Sequence, residues 1–332
     1  MDIRTVRGTE VDEPTGADIA ALSNAAQAVD APHLSPVSGS HQRLRLKHGW
    51  DLVPTDEVVL AYDGSALVGM AEVELPRWDN THIGWVDIQT HPDRRGLGIG
   101  DRLLEIGLDL IRADGRTLLM SGAWAGSHRE KFLLANGLTI GMKAAQRRLL
   151  SAELDWPRLD SLLAAARDAS SAYEIIEVPA PTPPELIADI MALQQVMNDA
   201  PIDDLQIEDE VWPEERLRGY ERASELRGQR LHRLVARRVS DGAMAGHTVV
   251  AVEDERPHLG IQEDTEVAPA HRGHKLGLRL KIEMLQRLRE REPQIIQIDT
   301  WNAESNAHMI AVNELLGCFV VGRSVEMQKP LP

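Results

Sequence analysis

Apolar and polar positions along the chain fall into two stretches that carry the same order of patterns. In the first, Val58–Asp63 and Leu67–Leu75 are apolar or alternating runs joined by Asp63-Gly64, which predicts a hairpin of two strands. Ile83–Thr90 reads as a third strand. Across Gly100–Ala113 the apolar residues Leu103, Leu104, Ile106, Leu108, Leu110 and Ile111 recur at helical spacing, and Asp114-Gly115 ends the run. Thr117–Met120 reads as a short strand, and Ser127–Ala135 as a helix closed by Asn136-Gly137. The second stretch repeats the order. Strands are predicted at Leu231–Arg238, Gly246–Val252 and Leu259–Val267, then a helix at Leu278–Arg291, a strand at Ile295–Thr300, a helix at Ser305–Leu316 and a strand at Phe319–Met327. Strands interleaved with helices predict an α/β fold of the α+β kind, a mixed sheet flanked by helices, built twice.

Residue matches support the duplication. Pro92, Arg95, Gly96, Gly100, Arg102 and Leu103 pair with Pro269, Arg272, Gly273, Gly277, Arg279 and Leu280, and Asp87 pairs with Asp264. A period near half of the 332 residues means two copies of a domain and not a solenoid. The expected organisation is an N-terminal domain over 1–150, a connecting helix and linker over 151–172, and a C-terminal domain over 173–332. Asp155–Ala169 has the spacing of an amphipathic helix, and the proline-rich stretch Val178–Pro184 is stiff.

Composition narrows the function. With 36 Lys+Arg against 52 Asp+Glu the net charge is −16, which disfavours nucleic-acid binding driven by phosphate neutralisation. The single Cys318 excludes a disulfide framework or a multi-cysteine metal site, and core packing is its simplest role. His271 and His274 lie three apart without a third ligand, so no metal is expected. No apolar run approaches membrane-spanning length and the first ten residues lack a signal-peptide core, so a cytoplasmic monomer is expected, with no membrane partner. Three tyrosines, Tyr62, Tyr173 and Tyr220, leave few candidates for a phenolic acid.

The chemistry concentrates where the third strand of each copy meets its helix. Arg95-Gly-Leu-Gly-Ile-Gly100 places backbone N–H groups at a helix N-terminus, where the unpaired amides and the helix dipole favour a phosphate-bearing ligand. No Gly-Lys-Ser/Thr follows, and Asp101 stands where a dinucleotide fingerprint would have its third glycine. The plainer alternative is a glycine-rich turn before a buried helix.

These residues resemble the GCN5-related N-acetyltransferase (GNAT) family, whose Arg/Gln-x-x-Gly-x-Gly/Ala signature binds the pyrophosphate of acyl-CoA. Arg95, Gly96, Leu97, Gly98, Ile99 and Gly100 match it fully. Arg272, Gly273 and Gly277 match it with Lys275 at the middle glycine. In arrangement the chain is similar to the tandem, mycothiol synthase-like acetyltransferases of actinobacteria. The resemblance implies two GNAT domains, each with a splayed central sheet, and acetyl-CoA as co-substrate. It implies pantetheine contacts from Ile88, Gln89 and Thr90 in copy one, and from Thr265, Glu266 and Val267 in copy two. It also points to Asn302 and Asn306, which copy one lacks; helix capping is the alternative for both.

The family's reaction is direct attack of an amine on the thioester, which needs positioning, a base and an acid. The resemblance puts the usual tyrosine acid at Asn313 in copy two and Leu133 in copy one, so neither copy has it. Glu263 and Asp264, with the equivalent Asp87, are the candidate bases; solvent or a salt bridge is the alternative for each. The segment 201–212, with acidic residues continuing to Glu215, reads either as a negative mouth for a cationic amine or as a solvated loop. Its copy-one counterpart, 32–50, is basic instead. The expected function is acetyl transfer to a primary amine of a small molecule. The alternatives are an acyl-CoA-binding protein without turnover and a protein or peptide acetyltransferase.

Overall fold

The computed structural model describes residues 1–332, and its contacts divide them into two compact units. The first comprises Met1–Ala144, Ile202–Glu210 and Gly322–Pro332; the second comprises Ala145–Pro201 and Val211–Val321. Along the first run β1 (Asp2–Val6), α1 (Glu13–Asp30), α2 (Gly39–His48), β2 (Glu57–Asp63), β3 (Ala66–Glu74), β4 (Ile83–Thr90), α3 (Ile99–Ala113), β5 (Leu118–Trp124) and α4 (His128–Ala135). β6 (Thr139–Leu150) starts there and continues into the second unit. The second unit then holds α5 (Trp156–Ala169), β7 (Tyr173–Glu177), α6 (Ile187–Gln195), α7 (Glu214–Leu226), β8 (Gln229–Arg238), β9 (Met244–Glu253), β10 (Leu259–Val267), α8 (Leu276–Arg291), β11 (Gln297–Ala303) and α9 (Ala307–Leu315). The chain ends in β12 (Phe319–Pro330), which belongs to the first unit from Gly322 onward.

Each unit has the same sheet. The first runs β1-β2-β3-β4-β5-β12 and the second β7-β8-β9-β10-β11-β6. In each, one parallel pair, β4–β5 or β10–β11, sits among antiparallel neighbours. This is the mixed, helix-flanked sheet predicted from the pattern, present twice. Its closing strands are exchanged: the last strand of the chain closes the first sheet, and β6 closes the second.

The patterns follow from what covers each face. β3 is buried at seven successive positions, because helices cover both sides of it. Ile19, Leu22 and Leu46 of α1 and α2 meet Leu60, Leu67 and Met70 on one face. Leu103, Leu104 and Ile111 of α3 meet Val59, Ala71 and Val73 on the other. α5 buries Leu159 and Leu163 in the second unit's core with α8 and α9. Five of the nine α-helices start on a side-chain cap, as at α1, where Asp12 Oδ1 accepts from Thr15 N (2.9 Å). No helix is long and apolar enough to cross a membrane.

Two expectations need correction. The strand at Thr117–Met120 runs on to Trp124, although Ser121-Gly122 break its apolar run, because β12 pairs with it through Ser324–Trp124. The acidic segment is not an acceptor mouth of the second copy: residues 202–210 pack on the first unit. Leu205 is buried with Ile83, Leu118 and Met120, Gln206 N donates to Gln328 Oε1 (2.8 Å), and Glu208 N donates to Asn80 Oδ1 (2.7 Å). Burial of Leu205 outweighs the preference of its acidic neighbours for open solvent, and they stay exposed around it.

Met327 is fully buried in the first unit's core. Met327→Ala is expected to cost about 2–5 kcal/mol, and amide exchange should show protection lost in 118–124 before 297–303. Equal loss in both segments would contradict the placing of β12 in the first sheet.

Candidate active site

Strand pairing creates the site in the first unit. β4 and β5 pair only through Ile83–Leu118, Gly84–Leu119 and Trp85–Met120. Beyond that point β4 stays with β3 as far as Thr90, and β5 stays with β12 as far as Trp124, so the parallel strands part. The gap leads into an open groove of about 350 Å³. One wall is Ile88, Thr90, Arg94, Arg95, Gly96, Gly98, Ile99, Gly100 and Asp101; the other is His128, Arg129, Lys131 and Phe132 of α4.

The loop geometry explains the glycines. Gly96 (φ +75°) and Gly98 (φ +76°) are both left-handed, and Gly98 is the N-cap of α3 without a capping side chain. The first-turn amides of α3 therefore have no intrahelical partner and stand at the groove. Arg95 braces the loop: its two terminal nitrogens donate to Asp30 Oδ1 (3.2 Å) and Oδ2 (2.5 Å) at the end of α1. Leu97 is exposed, whereas Ile99 is buried in the core. Gln89 faces the α1 side, where its Oε1 accepts from Ser23 Oγ (3.0 Å).

Carboxylates collect where the strands part. Asp87 Oδ1 accepts from Ser121 Oγ (3.3 Å) and Gly122 N (3.4 Å), and the Arg129 guanidinium pairs with it. Glu326 of β12 stands opposite Gly122 in register, its Oε2 3.2 Å from where a Cβ on Gly122 would lie. Burial, then the charge of Asp87, pushes the Glu326 carboxyl up to about 7, with Arg129 opposing. On β3, Glu72 lies opposite Asp87 and receives both terminal nitrogens of Arg45 (2.8 and 2.6 Å). Glu74 is also pushed up to about 7, by burial and then by Glu72. Sequence reasoning singled out Asp87 but missed Glu326, whose strand lies more than 200 positions away with nothing to name its sheet.

The second unit keeps the scaffold. β10 and β11 likewise pair over three positions, Leu259–Gln297 to Ile261–Asp299. Gly273 (φ +87°) and Lys275 (φ +57°) repeat the left-handed backbone, so Lys275 preserves the turn that Gly98 makes. Arg272 Nε donates to the Val267 carbonyl (3.0 Å) and its guanidinium pairs with Asp199 (2.5 Å), matching the Arg95–Asp30 brace. Gly277 has open space before Val267. Asn306 caps α9, its Oδ1 accepting from Met309 N (3.1 Å).

The interior of this unit differs from the first. Lys281 and Asn313 stand where the first unit has Leu104 and Leu133. Lys281 Nζ donates to Asn313 Oδ1 (3.0 Å), and Asn313 Nδ2 donates to Asn302 Oδ1 (2.6 Å). Lys281 and Asn313 line a cavity of about 20 Å³ with Gln262, Thr300 and Cys318, room for about one water. On the other face Glu263 accepts from the Tyr220 hydroxyl, and burial pushes its carboxyl up. Glu266 lies against His247, whose imidazole burial pulls down to about 3. The Asp264 carbonyl accepts from Gln262 Nε2 (3.2 Å). His271 is bonded through Nδ1 to the Tyr173 hydroxyl (3.0 Å).

The mixed sheet thus parts in front of a glycine loop and a helix N-terminus, beside an open groove. The chain belongs to the acetyltransferase (GNAT) family, whose model matches residues 26–124 and 198–317, and is thereby an acyl-CoA-dependent N-acyltransferase of tandem construction. Among solved structures it is similar to a tandem GNAT protein from the clavulanic acid biosynthesis pathway, at 24% identity and a TM-score of 0.78, over 99% of this chain and 98% of that one. A GCN5-related N-acetyltransferase from Sphaerobacter thermophilus matches at 16% identity and a TM-score of 0.67, over 99% and 95%. No curated protein sequence matches the chain.

The buried lysine makes a testable difference between the units. Burial pulls Lys281 from its ordinary 10.5 down to about 8. Stability present above pH 10.5 is therefore lost as pH falls through 8, about 3 kcal/mol in all. Replacing Lys281→Leu together with Asn313→Leu installs the first unit's pair, and its advantage over the parent in urea unfolding should grow from pH 10 to pH 6.5. A difference that stays constant with pH would show that Lys281 is not buried as a cation.

Proposed function

We propose that the chain moves an acetyl group from acetyl-CoA to the primary amine of a small molecule, by direct attack on the thioester, and that the first unit does so. The observation that carries this reading is the open groove of about 350 Å³ ahead of the left-handed Gly96 and Gly98. In it the amides at the start of α3 take the pyrophosphate, Arg95 holds the loop through Asp30, and Lys131 and His128 line the facing wall. The edge Ile88–Thr90 offers backbone groups to the pantetheine arm. The carboxylates at the gap favour a cationic acceptor, and the net charge of −16 favours a small amine over nucleic acid.

For the second unit the same reading gives Val267, Arg272, Gly273 and Gly277 the part of a loop scaffold, with Asn302 and Asn306 beside it. One core cavity there holds about 20 Å³, and Glu263 and Asn313 are engaged with their own neighbours. We therefore place turnover in the first unit, with the second unit's Glu263, Asp264 and Asn313 as the competing assignment. An acyl-CoA-binding protein without turnover is the alternative that Leu133 and Asn313 favour, since both stand where the family's tyrosine acid would be.

Calorimetry with acetyl-CoA and thiol release across a panel of primary amines separate these readings. Lys275 shows that an unbranched residue is accommodated in the left-handed loop position, whereas a β-branched one is not. Gly98→Val should therefore weaken acetyl-CoA at least about tenfold, a loss of about 1.4 kcal/mol or more. Unchanged affinity would move the site out of the first unit. Tight binding with no thiol released from any amine would leave the non-catalytic reading.

A further inference from the structure

The gap between β4 and β5 holds two carboxylates in very different states. Asp87 is fully engaged: Ser121 and Gly122 donate to it, and Arg129 pairs with it. Glu326 makes no hydrogen bond and no ion pair, yet most of its surface is covered. The register of β12 on β5 sets it over Gly122, where the absence of a side chain leaves room for its carboxylate. Glu74, the other carboxyl pushed up by burial, is set back at the paired end of β4 opposite Trp85 and accepts from Thr55 Oγ1 (3.2 Å).

We propose that Glu326, carried into the first unit by the last strand of the chain, is the catalytic base that takes the proton from the acceptor's ammonium group. The inference rests on the reading of the first unit as the acetyl-transferring one. In the step, one N–H proton of the ammonium passes to the Glu326 carboxylate and frees the nitrogen lone pair. The nitrogen attacks the thioester carbonyl and the C–N bond forms; a second N–H proton then passes from the nitrogen to solvent, the C–S bond breaks, and the leaving thiolate takes one proton from solvent. The product amide and the free thiol balance the acetyl thioester and the amine.

Two charged groups face Glu326, and they give it a signature that a packing role would lack. Asp87 on β4 raises its proton affinity and Arg129 on α4 lowers it, on top of the burial that holds it near 7. At pH 7 a useful fraction is therefore ionised, the condition under which a general base is most effective.

The test is the pH profile of kcat/KM for the most active amine of the panel, on the full chain. The parent should rise with pH through a midpoint near 7. Glu326→Gln should lower kcat by about 10²–10⁴ and abolish the rise, while acetyl-CoA affinity stays at the parent value and so reports an intact fold. Glu326→Asp should restore part of the rate, and Asp87→Asn should move the midpoint down by removing the neighbouring charge. Parent kcat and midpoint in Glu326→Gln, or an Asp87→Asn midpoint that does not move, would overturn the assignment of Glu326 alone. A parent that turns over no amine would overturn the acetyl-transfer reading and this inference with it.

Discussion

Everything distinctive in the first unit depends on the point where β4 and β5 stop pairing. Three residue pairs hold the parallel strands together, and then each strand follows its other neighbour. Backbone groups beyond that point have no backbone partner across the gap, so burying them in a closed core would be costly. The fold instead leaves the gap open toward a helix whose first amides are also unpartnered. Both sets of groups line the same groove, Ile88 and Thr90 from the strand and Gly98, Ile99, Gly100 and Asp101 from the helix start. Arg129 of α4 reaches Asp87 at the parting, and Glu326 of β12 stands over Gly122 beside it.

The duplicated units solve the same geometry differently. Both keep the left-handed loop and the arginine brace to the end of a helix, Arg95–Asp30 and Arg272–Asp199. A left-handed residue that is not glycine is strained by roughly 1 kcal/mol, so Lys275 shows that loop shape persisted while its glycine did not. Inside, the Leu104 and Leu133 positions became a buried lysine and asparagine tied to Asn302. The second unit has a buried polar network at these positions, where the first has apolar core side chains.

Much of the architecture was legible in the sequence, and the misses have physical causes. The strands β2, β3, β4, β8, β9 and β10 and the helices α3 and α8 stand out because each meets a core and carries an unbroken apolar face. α2 is not predicted from the pattern because Leu44 and Leu46 are its only apolar residues, and its inward side is partly polar, with Gln42 buried and Arg45 tied to Glu72. β5 was cut short at Met120 because Ser121-Gly122 carry no apolar signal, yet β12 holds them in the sheet. The glycine loop was readable because left-handed backbone selects glycine. Glu326 was not, because alternation along a strand says which residues share a face but not which sheet the strand joins.

A crystal structure of the chain with acetyl-CoA tests the central claim most directly. The pyrophosphate should lie against the amides of residues 96–101, with the thioester in the gap between β4 and β5 beside Glu326. Acetyl-CoA bound at the second unit's loop alone, or a thioester lying outside that gap, would contradict it.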